Sequence, residues 1–371
     1  MKRLVMFSPG HGEAGGAASR SRLIALELAG SGWQVLAITR AGTFNRFRVI
    51  RGPGLRVLEI PGFKQPALGG ALYLALAIPI GLIAGIRAKN FLAIQLMSTT
   101  TAAGVCSLLL RRGFVTMSTT SGRLGESRYI SGTRTSWLRR RLLRRATWIV
   151  AQTDAVAEEL RELTESDRVI VLPNPVALRE ATPLTGQPRV LFTGRFAAEK
   201  DLLGLLDAWE SVLSEEPDAK LTLAGSGGEY RSVEADVRER IAGSESLRNG
   251  VELSGWIDDV PAILSANDVF VLPSLEEGMS NALLEAVASG RIIVASDIAP
   301  NRAVVGDDYP LLYPAGDSSA LASALLKGVR LPAGEQEAIR SILAERLTAF
   351  APAAVIARLE ELMDAADRPR H

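Results

Sequence analysis

Two glutamates eight positions apart, Glu277 and Glu285, stand in the stretch DVFVLPSLEEGMSNALLEAVASGRIIVAS, residues 268–296. Between Gly278 and Gly290 the only charged residue is Glu285. A carboxylate on an otherwise apolar helix wedged between buried strands is costly unless something polar meets it, and a ribose diol is one such partner. The apolar runs 269–272 and 292–295 flank an acidic-glycine turn and a helical stretch near 280–289. That order reads as strand, loop, helix, strand in a parallel sheet. Open α/β sheets bind ligands beyond the carboxyl ends of their strands. Glu277 in the loop and Glu285 on the second helical turn both point there. The amides that follow Gly278, at Met279, Ser280 and Asn281, open the helix without intrahelical partners and favour an anion. Taken singly, either glutamate is more simply a solvated carboxylate. Together they flank a phosphate site with two hydroxyl acceptors.

Three further turns share this chemistry. FTGRFAAEKDLLGLLDAW places Arg195 and Lys200 between a strand and a helix, five residues apart, suited to bracket a diphosphate with a planar fork and a point charge. LAGSGGEY is a glycine-rich turn with Gly225, Gly227 and Gly228. In VELSGWIDDV, Gly255 permits close backbone approach and Trp256 is placed to contact a base.

The elements that must position these residues alternate along 371 residues, a length that suggests two units of ordinary size. Apolar runs at 4–7, 35–39, 55–60, 91–96, 114–117, 148–151 and 169–172 alternate with helical stretches, the first near 17–29. This predicts a Rossmann-like parallel sheet. The proline-punctuated segment VLPNPVALREATPLTGQP then reads as a linker, and the alternation restarts at 189–192, 221–224 and 251–253. The expected architecture is α/β, two Rossmann-like domains with parallel sheets facing an interdomain cleft: residues 1–175, residues 176–350, and a last helix over 351–371 that packs back on the first domain.

Residues 1–180 hold 25 Lys+Arg against 11 Asp+Glu, a balance of +14, and the remainder hold 17 against 30, a balance of −13. Halves so different meet different partners. With two histidines, His11 and His371, and the single Cys106, the chain has no material for a histidine metal cluster or a disulfide. The N-terminus MKRLVMF is too short an apolar run for a secretory signal, which predicts an unexported protein. Residues 66–86 carry no charge and approach membrane-spanning length, but glycines and Pro79 interrupt them where a crossover helix is needed. The stretch RTSWLRRRLLRR, from Arg134 to Arg145, forms a basic amphipathic helix with Trp137, Leu138, Leu142 and Leu143 among its arginines. A solvated face explains it; an anionic lipid surface explains it together with the apolar stretch.

In PGHGEAGG, Gly10, Gly12 and Gly15 match the dinucleotide fingerprint after a strand, although the second strand ends at Arg40 rather than in an acidic residue. An NADP-dependent oxidoreductase is therefore one alternative function. A non-catalytic sugar-nucleotide binding protein is another.

The pieces FTGRFAAEK, LAGSGG, ELSGWIDDV and SLEEGMSNALLEAVASG, with E-x7-E at Glu277 and Glu285, resemble in order and spacing the nucleotide-binding domain of retaining glycosyltransferases of family four, which have the GT-B fold. GGAASRSRLIALELAGSGWQV and VLPNPV resemble that family's first-domain glycine loop and interdomain crossover. The resemblance implies a sugar transferred with retention from a nucleotide diphosphate to a lipid-linked or polysaccharide acceptor. Cofactor and metal are not required. In it, Arg195 and Lys200 hold the diphosphate, Glu285 the ribose, and Glu277 with the amides after Gly278 the transferred sugar. Gly15 and Gly16 approach the phosphates from the first domain. Family members commonly carry a histidine where VTMSTTSGRLGE has Ser118. Ser118, Thr119, Glu126 and His11 are the candidate acceptor-side residues. The implied location is the cytoplasm, peripheral on the inner face of the membrane.

Overall fold

The computed structural model describes residues 2–10, 16–41, 47–62, 66–119, 126, 130, 132, 136–227 and 232–366. The chain forms two compact units, one of Met1–Pro175 with Phe350–His371, the other Val176–Ala349.

Among the described residues of the first unit the seven apolar runs become strands and β3 joins them: β1 (Arg3–Ser8), β2 (Gln34–Arg40), β3 (Arg48–Gly52), β4 (Leu55–Ile60), β5 (Asn90–Ile94), β6 (Phe114–Met117), β7 (Trp148–Ala151) and β8 (Val169–Val171). They lie in the order β3-β4-β2-β1-β5-β6-β7-β8. All neighbours are parallel except the β3–β4 hairpin. Strand β5 is buried along its whole length, which is why it reads as a continuous apolar run rather than an alternation. Strand β3 is exposed throughout, so it carries no burial pattern from which the sequence reading could find it.

Helices cover both faces of this sheet. Residues of the Pro66–Gly85, Ser98–Leu110, Ser136–Arg144 and Asp154–Thr164 helices share one core with Phe7, Phe91 and Phe114, including Tyr73, Cys106, Leu143 and Leu160. On the other face Ile24 and Leu28 of the Gly16–Gly30 helix meet Ile356, Leu359 and Met363 of the Pro352–Ala366 helix. That last helix is tied to the first unit by polar bonds as well. Asp364 pairs with Lys2 and Lys89 at 2.9 Å each, and the Trp33 indole donates to Glu360 at 2.6 Å.

Among its described residues the second unit has six strands, β9 (Arg189–Thr193), β10 (Lys220–Ala224), β11 (Val251–Gly255), β12 (Val269–Leu272), β13 (Ile292–Ser296) and β14 (Leu312–Tyr313). Their order is β11-β10-β9-β12-β13-β14, all parallel. This is the doubly wound arrangement in which the strand order reverses between the first and fourth strands, here β9 and β12. The two-residue β14 went unseen in the sequence because it is too short to show a period.

The proline-rich segment is fixed to the second unit from Thr182 onward. The Asp268 carboxylate accepts the amides of Thr185, Gly186 and Gln187 at 2.6, 2.7 and 3.2 Å. Buried Arg291 donates to the Thr182 carbonyl and hydroxyl at 2.5 and 2.7 Å and to the Asn267 carbonyl at 3.1 Å.

Candidate active site

Arg195, Lys200, Glu277 and Glu285 follow the two strands that flank the switch point of the second unit. Strand β9 runs into Gly194 and Arg195 and then a 3-10 turn, Ala198–Lys200, while β12 runs into Ser274, Glu277 and the Asn281–Ala288 helix. A backbone bond from the Leu275 amide to the Glu199 carbonyl at 2.8 Å stitches the two loops together. As a result Lys200 Nζ forms an ion pair with Glu277 Oε1, with the two side chains only 14% and 10% exposed. Arg195 remains near solvent and pairs with Glu199 at 2.9 Å.

Glu277 is held from behind. The Ser274 hydroxyl donates to its Oε1 at 2.8 Å, and the Ser296 hydroxyl donates to the Ser274 carbonyl at 2.5 Å. Asn301 in turn donates to the Ser296 carbonyl and hydroxyl at 2.9 and 3.1 Å. Ser274, Ser296 and Asn301 are fully buried, so this chain exchanges nothing with water and fixes the carboxylate rather than solvating it. None of the three stood out in the sequence, where isolated serines and an asparagine beside strands look like ordinary turn residues.

Gly278 and Met279 are buried in the turn ahead of the helix. Ser280 caps it, accepting the Leu283 amide at 3.3 Å, and Asn281 begins it. Glu285 lies on its second turn. Burial pushes its carboxyl above the usual range, and Arg179 opposes that shift. Arg179, an exposed residue of the proline-rich segment, was not singled out in the sequence. Only packing shows its proximity to Glu285.

The glycine turns serve the packing of the sheet. Gly225 has φ of +144°, and a Cβ there would lie 1.8 Å from the Gly194 carbonyl oxygen. Its amide donates to the Gly255 carbonyl at 2.7 Å, and the Gly194 amide to the Ala224 carbonyl at 3.0 Å. Gly225 is thus required by backbones packed against each other at the ends of β9, β10 and β11. The Gly227 amide is taken by the Glu234 carboxylate at 2.6 Å, so an internal anion occupies the donor expected to meet a ligand. Gly228 lies outside the described residues. Trp256 keeps an exposed indole, its N–H donating to Asp258 at 3.0 Å.

In the first unit, His11 and Gly15 lie outside the described residues, and Gly16 begins the Gly16–Gly30 helix. Ser118 and Glu126, expected to line an acceptor surface, are buried. The Ser118 carbonyl accepts Arg20 Nη2 and Gln152 Nε2, both at 2.7 Å. The Glu126 carboxylate takes the Thr119 amide at 3.0 Å and its hydroxyl. Burial raises the Glu126 carboxyl above its usual range, with Thr119 and Arg20 among the groups that oppose it. Arg20 also donates to Asn174 Oδ1 at 2.5 Å, and burial pushes its guanidinium down to about 10. These bonds hold Ser118 and Thr119, which directly follow β6, from within. Arg20 escaped the sequence reading because an arginine in a helix rich in small and charged residues looks solvated.

Comparison with known proteins gives the same assignment as the motifs. Residues 187–330 match the family described as glycosyl transferases group 1, and residues 15–175 match the glycosyl transferase 4-like domain. Over 177 residues, 43% of this chain and 45% of the other, it is 29% identical to UDP-Gal:alpha-D-GlcNAc-diphosphoundecaprenol alpha-1,3-galactosyltransferase of Escherichia coli. Over 193 residues, 49% of each chain, it is 34% identical to phosphatidyl-myo-inositol mannosyltransferase of Mycobacterium leprae. The chain thus spans about half the length of the curated relatives it matches. In fold it is similar to sucrose-phosphate synthase from Thermosynechococcus elongatus, with a TM-score of 0.78 and 21% identity over 98% of this chain and 99% of that one. It is also similar to Anabaena HepE in complex with UDP, with a TM-score of 0.74 and 16% identity over 98% and 100%. Neither family match is to a dinucleotide-dependent oxidoreductase, and the reading built on Gly10, Gly12, Gly15 and Arg40 gains nothing from them. With both Rossmann-like units matched and both enzymes of the GT-B fold similar throughout, the chain belongs to the family-four, group 1 glycosyltransferases.

Proposed function

We propose that the protein transfers a sugar, with retention, from a nucleoside diphosphate donor held by its second unit to a lipid-linked or glycan acceptor served by its first. The observation that carries this reading is the stitched pair of loops after β9 and β12, which brings Lys200 against Glu277, with Arg195 on the first loop and Glu285 on the helix that the second loop feeds. Cation and carboxylate there are matched in charge. A donor whose diphosphate takes Lys200 and whose sugar hydroxyls take Glu277 satisfies both at once.

In the reaction the bond between the anomeric carbon and the phosphate oxygen breaks, and its electron pair goes to the diphosphate. The acceptor oxygen forms the new bond on the same face, and its proton passes to the departing phosphate oxygen. Arg195, Lys200 and the amides at the start of the Asn281–Ala288 helix meet the growing negative charge, so a metal ion is not required. Glu285 accepts the ribose hydroxyls. Trp256 offers an exposed face to the base.

Two relatives support the acceptor class. One is named for a diphosphoundecaprenol-linked sugar and the other for phosphatidyl-myo-inositol, and HepE was solved with UDP. An anionic membrane surface at the Arg134–Arg145 region, and a cytoplasmic location on the inner face, complete the reading. It is tested by incubating the protein with UDP- and GDP-sugars and measuring nucleoside diphosphate release with and without a polyprenyl-diphosphate or phosphoinositide acceptor. Acceptor-dependent release that persists in EDTA is expected. Release that EDTA abolishes contradicts the metal-free route.

A further inference from the structure

The Pro66–Gly85 helix turns a narrow stripe of glycines, an alanine and Tyr73 inward. Only 28% of residues Leu68–Gly85 are buried, and those are Gly69, Tyr73, Ala77, Gly81 and Gly85, spaced every four residues along one stripe. A Cβ on Gly81 would sit 2.6 Å from the Phe7 ring, and one on Gly85 2.5 Å from the Phe91 ring. Close approach to the sheet therefore demands glycine on the inner face. The outward face carries Leu68, Ile83 and the following Ile86, which are 54%, 73% and 64% exposed. From 66 to 86 there is no charged residue. Fold stability explains the inner stripe and leaves the outer one without a reason.

The neighbouring helices extend the same surface. A Cβ on Gly85 would lie 2.7 Å from Leu110, so the ends of the Pro66–Gly85 and Ser98–Leu110 helices abut. There Leu108 and Leu109 are exposed, and the exposed Arg87, Arg111 and Arg112 follow the ends of the two helices. The Ser98–Leu110 helix in turn packs on the Ser136–Arg144 helix. That helix turns Leu142 and Leu143 inward and presents Trp137, Leu138 and Arg141 outward.

We propose that the outer face of the Pro66–Gly85 helix lies in the plane of an anionic lipid bilayer, its leucine and isoleucines among the acyl chains and the neighbouring arginines at the headgroups. The helix cannot span the membrane, because its opposite face is fixed to the sheet and the Tyr73 hydroxyl donates to the Ile38 carbonyl at 3.0 Å. An apolar face with arginines beside it matches the leaflet boundary and its negative surface potential. Attachment is then mainly hydrophobic, with the arginines selecting the leaflet. This inference rests on the membrane-side reading of the acceptor and is tested without donor or acceptor, so its failure leaves the transfer reaction untouched.

The test is flotation of the whole protein with vesicles of phosphatidylcholine alone and of phosphatidylcholine with phosphatidylglycerol. Binding to the anionic vesicles should persist at about 1 M salt, where screening shortens electrostatic reach to ~3 Å. Ile83→Glu with Ile86→Glu, both at exposed positions, should keep the thermal unfolding midpoint and weaken binding by roughly tenfold or more. Ile83→Trp should strengthen it. Complete release by salt, or equal binding of wild type and the double glutamate variant, overturns the proposal. So does a wild-type dimer that ignores vesicles and becomes monomeric in that variant, which would assign the face to a second copy of the chain.

Discussion

Lys200 and Glu277 come from loops 77 residues apart in sequence and meet as a nearly buried ion pair, with the Ser274 hydroxyl on the same carboxylate oxygen. Before the donor arrives, each keeps the other from being a buried unpaired charge. Removing one therefore has two effects that must be separated.

Lys200→Ala should reduce turnover by about 10²–10³-fold, because the cation meets charge that grows on the leaving diphosphate. Affinity for the intact donor should fall less. Arg195→Ala, at a more exposed position paired with Glu199, should behave in the same direction with a smaller loss. Steady-state kinetics alongside calorimetric donor binding checks both. Equal losses in donor affinity and turnover would assign the cations to ground-state binding.

Ser274→Ala should lower turnover several-fold while leaving affinity for the nucleoside diphosphate alone unchanged, since Ser274 acts through Glu277. Ser274→Thr should restore part of the loss by supplying a hydroxyl. A stability measurement accompanies this, because the substitution also leaves a buried acceptor short of a donor, at about 1–3 kcal/mol.

Glu285→Ala should weaken nucleoside diphosphate binding by about 1.5–3 kcal/mol through loss of a charge-assisted hydrogen bond. The raised carboxyl pKa gives a pH signature. A carboxyl whose pKa rises on folding binds its proton more tightly in the folded state. Its stability contribution is greatest at low pH and is lost as pH climbs past the unfolded value, about 4.3, and through the raised folded value. Glu285→Gln should therefore raise the neutral-pH melting temperature of the free protein while weakening nucleotide binding. In the wild type, acidification should begin to weaken binding above the usual glutamate range. Loss of both stability and affinity in the glutamine variant would contradict this account.

Gly225→Ala should destabilise the protein by several kcal/mol, because the new methyl meets the Gly194 carbonyl in a backbone region that L residues rarely adopt. Thermal unfolding measures this without any ligand. A stable, soluble Gly225→Ala protein impaired only in donor binding would restore the ligand-contact reading.

What was legible in the sequence was periodicity and charge placement. Strand β12 matches the apolar run 269–272 at both ends, and Glu285 falls on the second turn of the following helix as its spacing from Gly278 suggests. The two parallel sheets follow from the alternation. Polar side chains that work from inside were not legible. Arg20, Ser296 and Asn301 carry no periodic signal, and their roles depend on residues 98, 22 and 5 positions away. The glycines are ambiguous for a related reason. A turn glycine that frees space for a phosphate and one that frees space for another strand's carbonyl, as Gly225 does for Gly194, have the same local sequence.

The most direct test of the central claim is the anomeric configuration of the product. Incubation with an α-linked nucleotide sugar that the protein turns over, followed by proton NMR of the transferred residue, should show an α-glycoside with release of one nucleoside diphosphate per bond formed, and Lys200→Ala should suppress both together. A β-linked product, or nucleotide sugar bound without any release in the presence of lipid-linked and glycan acceptors, would contradict it.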